Sequence, residues 1–169
     1  MSATFYLSTA SFRQRLLFKF INFWPPFLGA GIRLKHVSSD FTEAEVELKL
    51  RFWNRNYVGV HFGGSLYAMT DPVYMLLAME QFRSRGWLKD YVIWDKAASI
   101  RFKKPGRTNV RAKFKLTVDQ ISEFKRLTDE QGRYEVTLPA RIIGAEGELI
   151  AEVEKTLYFA RKDRLKVRG

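Results

Sequence analysis

The stretch from Gly63 to Met79 constrains the fold of this chain most. From Leu66 onward it is apolar or neutral, with the single exception of Asp71. A helix that is apolar all round lies within a core, where a carboxylate is costly unless it is paired, protonated or functional. The amides of Gly63 and Gly64 would stand at the N-terminus of that helix, where negative charge is favoured. The sequence therefore predicts a buried acid and an anion-binding turn on one helix.

Pro72 lies inside this predicted helix. Because proline lacks an amide hydrogen and clashes with the preceding turn, we expect either a kink or a second helical segment that begins at Asp71-Pro72. An aspartate that only caps such a segment is the alternative to a functional Asp71. We expect the helix to end near Arg85-Gly86.

Alternation of apolar and polar residues on both sides of the helix predicts an antiparallel sheet. Residues 32–37 and 45–52 form a predicted hairpin, and residues 53–60 a loop. Everything after Trp87 is predicted to be strand-like, with segments over residues 91–104, 110–118, 134–142 and 149–160. Lys155 interrupts the apolar face of the last segment, and we favour a bulge or a snorkelling lysine over an inward-pointing cation. An antiparallel sheet wrapped around one apolar helix is an α+β architecture.

Composition limits the function classes. A chain of 169 residues with 46% hydrophobic content is expected to form one domain, which we place over residues 29–160. The absence of cysteine excludes disulfides, thiolate metal sites and cysteine nucleophiles, and two histidines do not make a metal cluster. The net charge of +11 favours polyanions, whether nucleic acid, anionic lipid or a phosphorylated cofactor such as coenzyme A.

The N-terminal segment, residues 1–28, is predicted to hold an amphipathic helix over residues 8–24 and a linker that begins with Pro25-Pro26. Its scattered charges are not those of a signal sequence or a membrane span, so we expect a cytoplasmic protein. We expect this helix to pack on the body, with a lid or a membrane-surface contact as alternatives. Residues 161–169 are predicted to form a basic tail.

Three parts of the sequence together resemble a known family. Asn56-x-x-Gly59, the Gly63-Gly64 pair and Asp71 are similar to the asparagine loop, the His-Gly-Gly turn and the helix carboxylate of phenylacetate-pathway-type hotdog thioesterases. Residues 31–159, marked by HFGGSLYAMTDP and VIWDKAASIRFKKPG, also look like a bacterial branch of unknown function in that superfamily. One position departs from the pattern, because Phe62 directly precedes the glycine pair and His61 lies one residue earlier.

The resemblance implies the hotdog fold, a homodimer or a dimer of dimers, and hydrolysis of acyl-CoA or a related acyl thioester. Such hydrolysis needs a base or nucleophile, for which we predict Asp71, and donors to the developing oxyanion, for which we predict the amides of Gly64 and Ser65. Asn56 is predicted to orient water or the thioester carbonyl. In the superfamily the helix acid of one subunit faces the glycine turn of its partner. Coenzyme A enters as part of the substrate, with no other cofactor and no metal, and substrate contacts are predicted for His61, Gly63, Arg101 and Lys103.

Other interpretations stay open. The main alternative is a non-catalytic hotdog module that binds fatty acyl groups or acyl-CoA, and an acyl dehydratase or hydratase is a neighbouring enzyme. A basic surface binder of nucleic acid or anionic lipid rests on net charge alone, and nucleic acid is not expected. Ser65 lacks the flanking glycine pattern of a nucleophile elbow, so a serine hydrolase is not expected. For Asp95 an ion pair or a sheet-edge role is the simpler interpretation, and for His61 a structural role is favoured over that of a base.

Overall fold

The structure is a computed structural model, which describes Leu16 and residues 20–165. Most of the helix predicted over residues 8–24 lies outside these residues; its described end is the 3-10 turn Ile21–Phe23. Where a linker was predicted, Pro25–Ala30 forms a short helix, α1, with both prolines in its first positions. Proline is tolerated there because the amides of a first helical turn have no partner within the helix.

Six strands form one antiparallel sheet in the spatial order β1-β2-β4-β5-β6-β3. The strands are β1 Ile32–Val37, β2 Glu43–Leu48, β3 Tyr91–Phe102, β4 Val110–Lys115, β5 Arg133–Ile143 and β6 Leu149–Arg161. The predicted hairpin of β1 and β2 is confirmed, and so is the pairing of β4, β5 and β6 as neighbours in chain order. β3 does not pair with its neighbours in chain order. It pairs with β6 and lies at one edge of the sheet.

The apolar stretch forms two helices, α2 Gly63–Ala68 and α3 Val73–Ser84, separated at Asp71-Pro72 as the proline predicts. Side chains that face the sheet are almost fully enclosed; they include Leu66, Met69, Val73, Leu77 and Phe82. This pair of helices is the apolar element around which the sheet curves, and α3 contacts β2, β3, β4 and β6. Within residues 20–165, no helix is long and apolar enough to cross a membrane.

One helix was missed by the sequence prediction. Val118–Gln131 is a helix, α4, between β4 and β5, where only strands and a polar turn were predicted. Thr117 caps it, since its hydroxyl accepts the Gln120 amide and the Gln120 side chain accepts the Thr117 amide. The helix buries Ile121, Phe124 and Thr128 against β5 and β6. These buried residues recur at helical and not at strand spacing.

Candidate active site

Asn56 organises the loop that leads into α2. Its side-chain oxygen accepts the amides of Val58 and Val60, each at 3.1 Å, and its amide group donates to the His61 carbonyl at 3.4 Å. Asparagine readily bonds to nearby backbone in this way and so replaces a regular turn. The side chain predicted to orient water or substrate therefore first of all positions the loop before the glycine pair.

The glycine turn opens α2. The Ser65 amide donates to the Phe62 carbonyl at 3.0 Å, so the oxyanion donor predicted there already has a partner. Within residues 20–165, the amides of Gly63 and Gly64 have no backbone carbonyl partner, as expected for the first positions of a helix. The donors available to an anion are therefore Gly63 and Gly64.

Aromatic rings lie close to both glycines. A Cβ built on Gly63 would stand 3.1 Å from the Phe102 ring, and one on Gly64 would overlap the Phe62 ring. Both rings are more than half exposed. The turn thus needs glycine for the close approach of two aromatic side chains, one of which, Phe62, holds the sequence position that the family pattern gives to histidine.

His61 lies under the turn. It is buried, and its Nε2–H donates to the Thr108 carbonyl at 2.8 Å. Burial lowers the pKa of this imidazole, against the opposite effect of the Thr108 bond, so His61 is neutral at pH 7. Its Nδ1 has no partner among the described residues. The His61 amide also donates to Gly106 at 2.9 Å, and the residue fastens the turn to the loop after β3.

A cleft of about 360 Å³ lies beside the turn and brings several predicted residues together, namely Asn56, His61, Gly63 and Lys103. Its apolar walls are Val60, Leu66 and Phe102. The Lys103 ammonium group, at the rim, is paired with Glu152 at 2.8 Å. Arg101 lies elsewhere, in a separate groove that Arg141 and Glu152 also line.

Asp71 has two partners that the sequence prediction did not name. The Lys155 Nζ lies 3.0 Å from Asp71 Oδ1 and 3.4 Å from Asp95 Oδ2, and 5.4 Å from the centre of the Tyr67 ring. The favoured interpretation of Lys155 was wrong, because its side chain is 1% exposed and points inward as a cation. The register shift between β3 and β6 lies in β3, between Asp95 and Ala97, and the shift between β5 and β6 lies at Ile150, five residues from Lys155. Two carboxylates compensate the buried cation, which explains why it is tolerated.

The two aspartates differ in exposure and in acidity. The Asp71 side chain is 46% exposed, whereas a buried acid was predicted. Asp71 lies at the break between α2 and α3 and not within a continuous helix. Partial burial raises the pKa of Asp71, but hydrogen bonds from Asp95 and Lys155 and the Lys155 charge leave it below its usual value. The Asp95 side chain is 15% exposed, and burial followed by the bond to Asp71 raises its pKa to about 7.

The two carboxyl groups therefore differ in protonation. Around pH 7 Asp71 is ionised, and the buried Asp95 holds a proton for much of the time. Within the described part of the chain, the Asp95 oxygens accept no hydrogen bond, which adds to the cost of ionising this buried carboxyl group. The site presents an accessible carboxylate, a buried cation behind it and a neutral acid at its side.

Asp71 and the glycine turn are separate on one chain. Asp71 is not among the residues that line the cleft. It follows Gly64 by seven residues in the sequence, which corresponds to about 10 Å along a helix at roughly 1.5 Å per residue. Asp71 therefore lies outside the cleft that the glycine turn borders.

A family model described as "Domain of unknown function (DUF4442)" matches residues 13–159. The chain belongs to this family. A comparison with curated proteins found no match for the DUF4442 chain. Solved structures with similar folds include a Pseudomonas aeruginosa protein described as a probable thioesterase, with 17% identity and a TM-score of 0.72 over 87% of this chain and 95% of that one.

Two further structures share the fold. A thioesterase from Haemophilus influenzae is 14% identical with a TM-score of 0.63, over 89% of this chain and 92% of that one. The PaaI protein of the phenylacetic acid degradation operon of E. coli is 15% identical with a TM-score of 0.60, over 92% and 95%. At these identities the likeness concerns the fold alone. The DUF4442 chain has the hotdog fold that its motifs predicted.

Proposed function

We propose that this protein hydrolyses acyl thioesters, with acyl-CoA as the substrate class, in the cytoplasm. The observation that carries the proposal is Asp71, an accessible and ionised carboxylate held by Lys155 and Asp95 at a break in the central helices. The hotdog fold and the thioesterases that share it support the same reaction class.

Asp71 acts as the general base. A water molecule bonded to Asp71 transfers a proton to it as the water oxygen attacks the thioester carbonyl carbon, and the carbonyl electron pair moves to its oxygen. The amides of Gly63 and Gly64 donate to this oxyanion, aided by the N-terminal dipole of α2. When the intermediate collapses, the C–S bond breaks and Asp71 returns the proton to the thiolate. Loss of one oxyanion donor typically costs about a hundredfold to a thousandfold in turnover.

The reaction requires two subunits. Since Asp71 and the glycine turn of one chain are about 10 Å apart along the helical path, a homodimer would bring Asp71 of one subunit to the turn of the other. The free edge of β3 supports this assembly, because a 12-residue edge strand offers a row of unpaired backbone groups to a second copy.

The cleft beside the turn has an apolar wall for the acyl chain of an acyl-CoA and a basic rim for its phosphate groups. Its apolar wall of Val60, Leu66 and Phe102 would accept the acyl chain. Lys103, Lys104 and the neighbouring Arg107 are exposed at the rim, where they would meet phosphate groups.

Release of free thiol from a panel of acyl-CoAs tests the proposal. Wild-type protein is expected to release thiol, and Asp71→Asn to lose at least about a hundredfold, the lower range for general acid–base catalysis. The variant is expected to fold, because Asp95 loses the neighbour that raises its pKa and pairs with Lys155 in the ionised form. Asp90→Asn, an exposed aspartate outside the site, is the matched control. Equal turnover in wild type and Asp71→Asn would refute the role of Asp71.

A non-catalytic module that binds acyl groups is the second candidate. The Phe62 ring over Gly64 favours it, since this ring narrows the approach to one of the two free amides. Calorimetric binding of acyl-CoA without thiol release at any chain length would support this candidate and contradict hydrolysis.

A further inference from the structure

Six large apolar side chains are exposed together on the segments around α1 and after β2. They form what we call the aromatic patch, with exposures of 47% to 82%: Phe20, Phe23, Trp24, Leu28, Phe52 and Trp53. Pro25 and Pro26 are exposed between them. Soluble proteins rarely expose many large apolar side chains side by side, and such surfaces mark contacts with proteins or membranes.

The two segments of the aromatic patch are held together by specific bonds. The Trp53 indole N–H donates to the Gly29 carbonyl at 3.2 Å, and the Asn54 side chain donates to the Ala30 carbonyl at 2.7 Å. The Phe52 and Trp53 rings meet edge to face at 5.0 Å. Beneath them, Phe27 of α1 is buried in the core. The patch is thus a preformed surface of the folded domain.

The backbone before α1 is anchored as well. The Asn22 side chain accepts the Leu34 amide at 2.7 Å and donates to the Leu34 carbonyl at 3.2 Å. These two hydrogen bonds fasten the turn Ile21–Phe23 to β1. Phe23 is therefore presented outward from a fixed position.

Basic side chains surround the aromatic patch. The Arg51 guanidinium lies 5.8 Å from the centre of the Trp53 ring. Further exposed basic residues stand on the flanking segments, namely Arg33, Lys35 and Arg55. The acids on the same face of β2 are already paired with basic residues: Glu47 with Lys35, Lys49 and Arg111, Glu45 with Arg111 and Lys113, and Glu43 with Lys115. In the sequence, Arg13, Arg15 and Lys19 precede Phe20.

We propose that the aromatic patch docks on the surface of a lipid bilayer that contains anionic lipid. Tryptophan and phenylalanine favour the interfacial region of a bilayer, and basic residues around them are attracted to anionic headgroups. A second copy of the chain would bring the same excess of positive charge to the contact, which disfavours self-association through this surface. The inference concerns a surface outside the proposed hydrolytic site and does not depend on catalysis.

Co-sedimentation of the full chain with vesicles tests the proposal. The protein is expected to bind vesicles of phosphatidylcholine with phosphatidylglycerol about tenfold or more tightly than vesicles of phosphatidylcholine alone, and to be released by salt. The double variant Phe23→Ser/Phe52→Ser is expected to lose most of this binding. Both side chains are more than two thirds exposed, so the fold is expected to persist, as a thermal melt would show.

Trp94→Ser is the matched control. Trp94 is 56% exposed and stacks on Tyr158 at the opposite edge of the sheet. This variant is expected to bind vesicles like the wild type. Three results would overturn the proposal: no vesicle binding, equal affinity for the two vesicle types, or equal loss of binding in Trp94→Ser. Self-association that only the double variant abolishes, without vesicle binding, would instead assign the surface to a second copy.

Discussion

Asp95→Asn tests the raised pKa of Asp95 through protein stability. The pKa of Asp95 rises from its usual 3.8 to about 7 on folding. Between about pH 4 and pH 7 the folded protein therefore keeps a proton that the unfolded chain has released, and the free energy of unfolding falls as pH rises through this window. Since one pKa unit is about 1.36 kcal/mol, the full loss is on the order of 4 kcal/mol.

Asparagine resembles the protonated carboxyl group in shape but does not ionise. Near pH 4 the wild type and Asp95→Asn are expected to have similar stability, and near pH 8 the variant is expected to be more stable by up to about 4 kcal/mol. Lys155 keeps Asp71 as a partner in the variant, so no buried cation is left alone. The contribution of Asp71 to the free energy of unfolding does not change in this window. The pKa of Asp71 is lowered on folding, so this contribution is lost only at pH values below the usual pKa of 3.8.

Urea unfolding followed by tryptophan fluorescence at both pH values provides the measurement. The quantity compared is the difference in the free energy of unfolding between the wild type and Asp95→Asn, in which the contribution of His61 cancels. Asp90→Asn, with its exposed side chain, serves as the control for the loss of a negative charge. A stability difference that stays the same within about 1 kcal/mol from pH 4 to pH 8 would refute the reasoning.

The other two predictions concern Lys155 and His61. Lys155→Met removes the cation between two carboxylates, so we expect the free energy of unfolding to fall by about 3–5 kcal/mol at pH 8. At pH 5, where Asp95 is protonated, the loss is expected to be smaller. An equal loss at both pH values, measured by urea unfolding, would contradict this. Because burial lowers the pKa of His61, the wild type is expected to lose stability as pH falls below the usual 6.5, and His61→Gln is expected to lack this loss. Thermal midpoints at pH 7 and pH 5 measure it, and the same slope in both proteins would count against a buried neutral imidazole.

Much of the fold was readable from local pattern. The alternation in β1 and β2 and the proline in the central helix act over a few residues, so the hairpin and the break between α2 and α3 were predicted. The helix α4 was missed although Thr117 and Gln120 form a capping box and Ile121, Phe124 and Thr128 recur at helical spacing. Strands on both sides of this segment biased the interpretation toward strand.

The candidate site was readable only in part. The glycine pair and Asp71 form a compact motif, whereas Lys155 is 84 residues from Asp71 in the sequence. A buried lysine is costly unless carboxylates meet it, and which carboxylates do so depends on strand order and register. Because β3 pairs with β6 and shifts register after Asp95, Asp95 reaches Lys155, whereas Asp71 reaches it from the break between α2 and α3. The sequence signal for this cluster is Lys155 itself, because a cation that interrupts an apolar strand face and points inward requires carboxylates near it.

The position of Asp95 on an edge strand has a thermodynamic consequence. Any chain that pairs with β3 removes water from the strand that carries this carboxyl group, and desolvation is already the main cause of its raised pKa. The assembled form would then hold its proton more firmly than the free subunit. By linkage, association along this edge would be coupled to proton uptake, and the association constant would then depend on pH.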